Sequence, residues 1–390
     1  MLHGYRVIDA DSHVMEPDDL FDRYLDPAFK MYAPKTRRIA TDWPYFADMD
    51  VLGHKWPATL NWEDIHYLDD GRTFMDAYAE FLTREWGPDA YVLYMDQAGI
   101  DAMVVYPTLT LHSTAVPNID PKAAAAVRRA YNDWLAEFAS GGDGRIIGVA
   151  MIDLRDVDLA IAEATRCVRE LGYRSVAIIP DPPMLGIPLD HAYYDPLWEC
   201  IVDLGIPLGT HEAMFHKMGS VGYVAQHHVQ GTTIPYAPHA VSFGFGEMMA
   251  ALSFTGAILP RHPDLKVVFT ESSAGWAATW LPFLDEKWER ARLTGFPVPS
   301  DEPPSHWFAR SCWISGEPGE PGYRYCVEAG LEDRLLVATD FPHPEDEHFP
   351  AGLQRALTRR DGITDDQLRK LLSENASALY GLSATTCGSS

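Results

Sequence analysis

Short apolar runs rich in Val, Ile and Leu alternate along this chain with longer stretches in which apolar positions recur every three to four residues. A run of four to six apolar residues marks a buried strand, and the longer period marks an amphipathic helix. Eight strand-like runs stand out: Arg6 to Ala10, Ala102 to Tyr106, Ile146 to Met151, Ser175 to Ile179, Pro207 to Thr210, Lys266 to Thr270, Cys312 to Ser315 and Leu335 to Thr339. Helical patterns separate most of them, at Pro121 to Ala139, Val157 to Leu171, Tyr194 to Leu204, Val241 to Leu259 and Trp276 to Arg292. Parallel neighbours need a long return connection, usually a helix, so the alternation predicts an α/β fold. Eight units predict a closed (β/α)8 barrel of the TIM type. An open doubly wound sheet is the alternative, because runs this short do not separate buried strands from buried helix pieces.

Such a barrel takes ~250 residues, and the chain has 390. The surplus falls mainly between the first and second strands, where Pro17 to Gly99 carries Tyr32, Trp43, Tyr45, Phe46, Trp56 and Trp62. This large insertion, residues 17–99, is expected over the C-terminal mouth as a lid or substrate wall, or else to build a small core of its own. A second surplus, Glu212 to His239, follows the fifth strand. Thr364 to Leu379 predicts a C-terminal helical extension. Residues 1–382 therefore read as a single barrel domain, and residues 383–390 as a flexible tail.

Composition narrows the function. With 31 Lys plus Arg against 56 Asp plus Glu, the net charge of -25 repels phosphate backbones and anionic membranes, so neither nucleic acid nor a membrane is expected as partner. The five cysteines are scattered, with no Cys-x-x-Cys spacing, which signals neither a disulfide framework nor a thiolate zinc site. No apolar run reaches signal-peptide or membrane-helix length, and a cytoplasmic location is expected. No glycine-rich phosphate loop or nucleophile elbow occurs, so nucleotide cofactors and serine-hydrolase chemistry are not expected.

The chemistry-bearing residues cluster at strand ends. In Val7-Ile8-Asp9-Ala10-Asp11-Ser12-His13, side chains two apart share a face, which places Asp9, Asp11 and His13 on one side. Asp11 and His13 then project together at the catalytic end, with a carboxylate oxygen and an imidazole nitrogen aimed at one divalent ion. The plainer reading is a turn cap with a surface histidine. His211 ends the fifth strand, Glu271 the sixth, and Asp340 and His343 the eighth. In a barrel these ends converge on one mouth, so residues far apart in sequence become one cluster. Glu271 is read as a ligand, a general base or a helix-start cap, and His343 as a ligand, a proton handler or the partner that holds Asp340. His216, His227, His228 and His239 read as solvated loop residues, and His262, at the opposite end, as structural.

Four segments carry a resemblance: Asp9-Ala10-Asp11-Ser12-His13, Ile206-Pro207-Leu208-Gly209-Thr210-His211, Pro263-Asp264-Leu265-Lys266-Val267-Val268-Phe269 and Ala338-Thr339-Asp340-Phe341-Pro342-His343. Together they resemble the second amidohydrolase family, whose members include aminocarboxymuconate semialdehyde decarboxylase and γ-resorcylate decarboxylase. The resemblance implies a metal-dependent barrel enzyme with Asp11, His13, His211 and Asp340 as ligands, and a homodimer. There are two departures. Asp11-x-His13 stands where many members have His-x-His, which makes the site harder and shifts its preference from zinc toward iron, manganese or magnesium. Glu271 stands on the sixth strand, where those decarboxylases place a catalytic histidine.

The sequence thus predicts a hydrolase or nonoxidative decarboxylase acting on a small organic acid or amide, with one or two divalent ions (zinc, iron or manganese). Asp11, His13, His211, Glu271, Asp340 and His343 are the ligand set, and Glu271 and His343 handle protons. The alternative on this scaffold is a dinuclear iron or manganese oxygenase. A noncatalytic barrel paired with a homologous subunit is the reading outside enzymology.

Overall fold

In this computed structural model the described residues are 2–38, 47–56, 71–114, 119–180, 187–211, 237–343, 349–358 and 362–382. The strands in chain order are β1 (Ile8–Val14), β2 (Lys35–Arg38), β3 (Ala47–Val51), β4 (His54–Trp56), β5 (Ala102–Pro107), β6 (Ile146–Gly148), β7 (Ala150–Met151), β8 (Val176–Ile178), β9 (Leu208–Thr210), β10 (Val267–Phe269), β11 (Cys312–Gly316) and β12 (Leu335–Val337). β1 pairs in parallel with β5, and β5 with β6. A parallel run of neighbours then leads from β7 through β8, β9, β10 and β11 to β12. Val149 separates β6 from β7, so these two pieces form one strand shared by both sheets. The ring closes where the Asp340 N–H donates to the Asp11 carbonyl at 3.0 Å and the His13 N–H donates to the Phe341 carbonyl at 2.7 Å. The result is the predicted (β/α)8 barrel, each of the eight runs supplying one strand.

Every residue of the barrel strands is buried. Parallel strands covered on both faces carry apolar residues without alternation, which explains why the runs were visible in sequence. The helices start where local chemistry allows. Asp120 accepts the Lys122 and Ala123 N–H groups ahead of the helix Pro121–Ser140, and Asp156 caps Val157–Glu170 through the Leu159 N–H. Asp195–Leu204 ends at Gly205, whose φ of 72° is the left-handed stop that glycine adopts without strain.

The described part of the insertion contains a small antiparallel sheet, β2 to β4, and the helices Phe74–Leu82 and Pro88–Ala98. Tyr78, Phe81, Trp86, Tyr91 and Tyr94 from this region are buried and pack around Phe341, just beyond β12. The insertion's buried aromatics thus belong to the main core. Trp43, Tyr45, Phe46, Trp62 and the Trp56 side chain lie outside the described residues. The C-terminal segment forms Asp365–Arg369 and Asn375–Tyr380 with a π turn between them. It is tied to the start of β12 by Asn375, whose amide donates to the Glu332 and Leu335 carbonyls. Among the described residues no helix is long and apolar enough to cross a membrane.

Candidate metal centre

β1 does not run straight. Its register with β5 shifts between Asp9 and Ser12, and such a bulge re-aims the side chains beyond it. This corrects the strict alternation expected from sequence, because Asp9 is not among the grouped donor atoms that Asp11 and His13 join. The Asp9 carboxylate instead accepts the Thr339 N–H (3.0 Å), the Ser12 hydroxyl (2.8 Å) and the Thr339 hydroxyl. It thereby ties β1 to the residue just before Asp340. Burial pushes the Asp9 carboxyl up to about 6, against the opposing effect of these hydrogen bonds.

The other nominated residues converge. His13 Nε2 lies 3.2 Å from His211 Nε2, 3.3 Å from Asp340 Oδ1 and 3.5 Å from Glu271 Oε2. Glu271 Oε2 is 2.9 Å from His211 Nε2. His343 stacks on His13 with ring centroids 4.2 Å apart, and its Nδ1 is 2.9 Å from Asp340 Oδ2. Donor atoms of Asp11, His13 and His211 lie within 4.8 Å of one another, as do those of His13, Glu271, Asp340 and His343. His13 Nδ1 is 2.8 Å from the Pro107 carbonyl. A carbonyl only accepts, so Nδ1 carries the proton and Nε2 presents a lone pair to the cluster.

The cluster is largely buried and rich in acceptors. Asp11, His13, His211 and Asp340 are buried. Asp11 Oδ2 accepts the Glu271 N–H at 2.9 Å and the Ser315 hydroxyl at 3.4 Å, whereas Asp11 Oδ1 is buried with no hydrogen-bond partner among the described residues. Burial pushes the Asp11 carboxyl up to about 6, and His211 and His13 pull it back. A buried carboxylate oxygen left unpaired costs a few kcal/mol, on the order of ~1–3. A divalent cation between these oxygens and the imidazole lone pair would remove that cost, so the donor set fits a metal ion. Both groups include His13, whose inward-facing Nε2 is a single lone pair that binds one ion. The two-ion arrangement of the oxygenase alternative finds no support in this shared donor.

The loops that deliver the candidate ligands are strained and braced. Glu271, Ser273 and Asp340 have φ of 46°, 59° and 57°, a region that costs a side-chain-bearing residue on the order of 1 kcal/mol. Glu320, on the loop after β11, accepts the Ser273 hydroxyl at 2.9 Å and the Ala274 N–H at 2.7 Å, bridging two strand ends. Burial pushes its carboxyl up to about 7.

Asp11, His13, His211, Glu271, Asp340 and His343 thus meet in one place. Glu271 faces His211 with its carboxylate, and the helix Ala277–Leu293 starts at Trp276, whose side chain makes no cap bond. His262 pairs with Asp195 at 3.0 Å, away from the cluster. His216, His227, His228 and the His239 side chain lie outside the described residues. Sequence reasoning missed Ser315, Glu320, the Pro107 carbonyl and Glu247, which accepts from the Thr210 hydroxyl at 2.5 Å beside His211. Ser315 ends the seventh strand run, so the strand-end rule that found the others reaches it too.

Comparison with known proteins gives a family match and distant relatives. A family model described as amidohydrolase matches residues 8–382. A γ-resorcylate decarboxylase from a Polaromonas species is 27% identical over 307 residues, which are 75% of this chain and 87% of the relative. A solved amidohydrolase from Mycobacterium avium subsp. paratuberculosis superposes with a TM-score of 0.76 at 21% identity, covering 98% of this chain and 99% of its own. A Polaromonas dihydroxybenzoic acid decarboxylase, solved with manganese and the inhibitor 2-nitroresorcinol, superposes with a TM-score of 0.65 at 20% identity, covering 97% of each chain.

Proposed function

The chain belongs to the amidohydrolase family, and on that premise we propose that it is a divalent-metal-dependent nonoxidative decarboxylase of a hydroxylated aromatic carboxylic acid. The observation that carries the reading is the buried group Asp11, His13 and His211, with the Asp11 Oδ1 oxygen unpaired and the His13 Nε2 lone pair turned inward. Asp340 and His343 complete the candidate ligand set, and Glu271 lies beside it with its carboxyl left for proton transfer. Beside it lies a cavity of about 240 Å³ lined by Asp11, Glu271, Ser272, Ser315, Glu317 and Asp340 among others. Cavities of ~150 Å³ hold benzene, so this one accommodates a single substituted ring. The relatives' substrates, γ-resorcylate and dihydroxybenzoic acid, are of that size and support the choice.

A divalent ion bound by these residues would supply positive charge that holds and polarises the carboxylate and ring oxygens of the substrate. The protein's own groups have the rest to do. Decarboxylation needs a proton delivered to the ring carbon that bears the carboxylate; the carbon–carbon bond then breaks, its electron pair returns to the ring and carbon dioxide leaves. Glu271 lines the cavity and His343 is not among its lining residues, so Glu271 is the group placed to deliver that proton. The Asp340–His343 pair fixes the imidazole that stacks on His13 and holds the ligand rings in register.

The test is carbon dioxide release from 2,6-dihydroxybenzoate by manganese-loaded protein, with zinc- and iron-loaded samples alongside. Formation of resorcinol that stops on chelation, and that falls at least 100-fold in Glu271→Gln, is the expected result. Loaded protein that releases no carbon dioxide from 2,6-dihydroxybenzoate, 2-hydroxybenzoate or related phenolic acids overturns the proposal.

A further inference from the structure

Three serines line the cavity beside the metal-ligand cluster: Ser272, Ser273 and Ser315. Two are committed to carboxylates. Ser273 donates to Glu320 Oε2 at 2.9 Å and Ser315 to Asp11 Oδ2 at 3.4 Å. Ser272 differs. It is 8% exposed, and its Oγ accepts the Trp276 indole N–H at 3.1 Å. An indole nitrogen only donates, so this bond occupies an acceptor position of the hydroxyl and leaves the O–H as a donor. That proton meets no acceptor among the described residues. A hydroxyl so deeply buried, oriented by a neighbouring ring and facing a cavity, is a donor prepared for a ligand.

We propose that Ser272 is a specificity-determining residue that donates a hydrogen bond to an oxygen substituent on the substrate ring, adjacent to the carbon bearing the carboxylate. The inference rests on the decarboxylase reading and deepens it. Glu271 and Ser272, neighbours on one loop, line the same cavity, so with Glu271 at the ring carbon that is protonated, Ser272 would reach the substituent next to that carbon. Trp276 is a positioning residue: half-buried and packed edge-on against Phe269 and Phe308, it holds the hydroxyl's acceptor side and so aims its proton. The preferred substrates carry an ortho hydroxyl or alkoxy group, and an unsubstituted benzoate lacks the atom that Ser272 reads. The interaction exists before and during proton transfer, so its loss weakens binding rather than the chemical step.

The experiment is calorimetric titration of manganese-loaded wild type, Ser272→Ala and Trp276→Phe with 2,6-dihydroxybenzoate, 2-hydroxybenzoate and benzoate, with carbon dioxide release measured in parallel. Expected is a Kd for both hydroxybenzoates raised about tenfold in Ser272→Ala, the size of one neutral hydrogen bond, with benzoate unchanged and kcat within about twofold of wild type. Trp276→Phe, which keeps the hydroxyl and removes its orienting donor, falls between. Equal Kd changes for substituted and unsubstituted rings, or none, overturn the proposal. Wild type that binds hydroxybenzoates tenfold better than Ser272→Ala yet releases no carbon dioxide upholds Ser272 and overturns the decarboxylase reading. Wild type that binds none of the three compounds overturns both.

Discussion

Phe341 offers the sharpest test of how the candidate site is held. It follows Asp340 directly, it is 1% exposed, and its carbonyl accepts the His13 N–H at 2.7 Å. Its ring stacks on Tyr94 at 3.8 Å between centroids and meets Tyr91 edge-on at 5.4 Å. Truncation to alanine removes a fully buried aromatic side chain, a change that costs ~3–5 kcal/mol, and it breaks two close aromatic pairs worth ~0.5–1.5 kcal/mol each beyond their area. The expected loss is about 4–8 kcal/mol, a large part of the ~5–15 kcal/mol by which a folded protein is stable. Phe341→Leu fills most of the volume and should cost roughly 1.5 kcal/mol. Urea unfolding followed by far-UV circular dichroism at fixed pH measures both. Metal content after dialysis reads the effect on the site, where Phe341→Ala should retain less ion than Phe341→Leu because the Asp340 to His343 turn loses its backing. An alanine variant within 1 kcal/mol of wild type, with full metal content, refutes the reasoning.

Two further outcomes follow from the same geometry. Manganese at a hundred times its Kd should stabilise the fold by ~2.7 kcal/mol, read as a rise in Tm that a chelator reverses and that His211→Ala abolishes; a Tm indifferent to manganese and chelator removes the metal centre. The half-buried Glu320 carboxyl, raised to about 7 from its ordinary value of 4.5, holds its proton more tightly in the folded state than in the unfolded chain. Its contribution therefore favours folding below about pH 4.5 and is lost as pH rises through about 7. Glu320→Gln should flatten the fall in stability between those values, and parallel wild-type and variant profiles over that range would show the assignment to be wrong.

The barrel was legible because its strands are buried on both faces and so are written as apolar runs, while crossover helices supply the spacing between them. The six donor residues were legible for a related reason: each stands where an apolar run ends, and a barrel brings all such ends to one mouth. Asp9 shows where that logic stops. Alternation holds along an unbroken strand, and the register shift between Asp9 and Ser12, invisible in residue types, turned Asp9 to Thr339. Glu320 and Glu247 were illegible because each acts across the fold, on partners 46 and 37 residues away, with no periodic mark. The aromatic content of the insertion was plain in sequence, but its service to Phe341 depends on contacts between Tyr94 and the far end of the chain.

The junction between Asp11 and Asp340 couples the candidate site to closure of the barrel. Asp11 and His13 stand more than three hundred residues ahead of Asp340 in the chain, yet a pair of main-chain bonds joins the two segments side by side. The candidate donors from the two ends of the chain therefore come together only as the ring closes, so retention of an ion by the full set would report that closure.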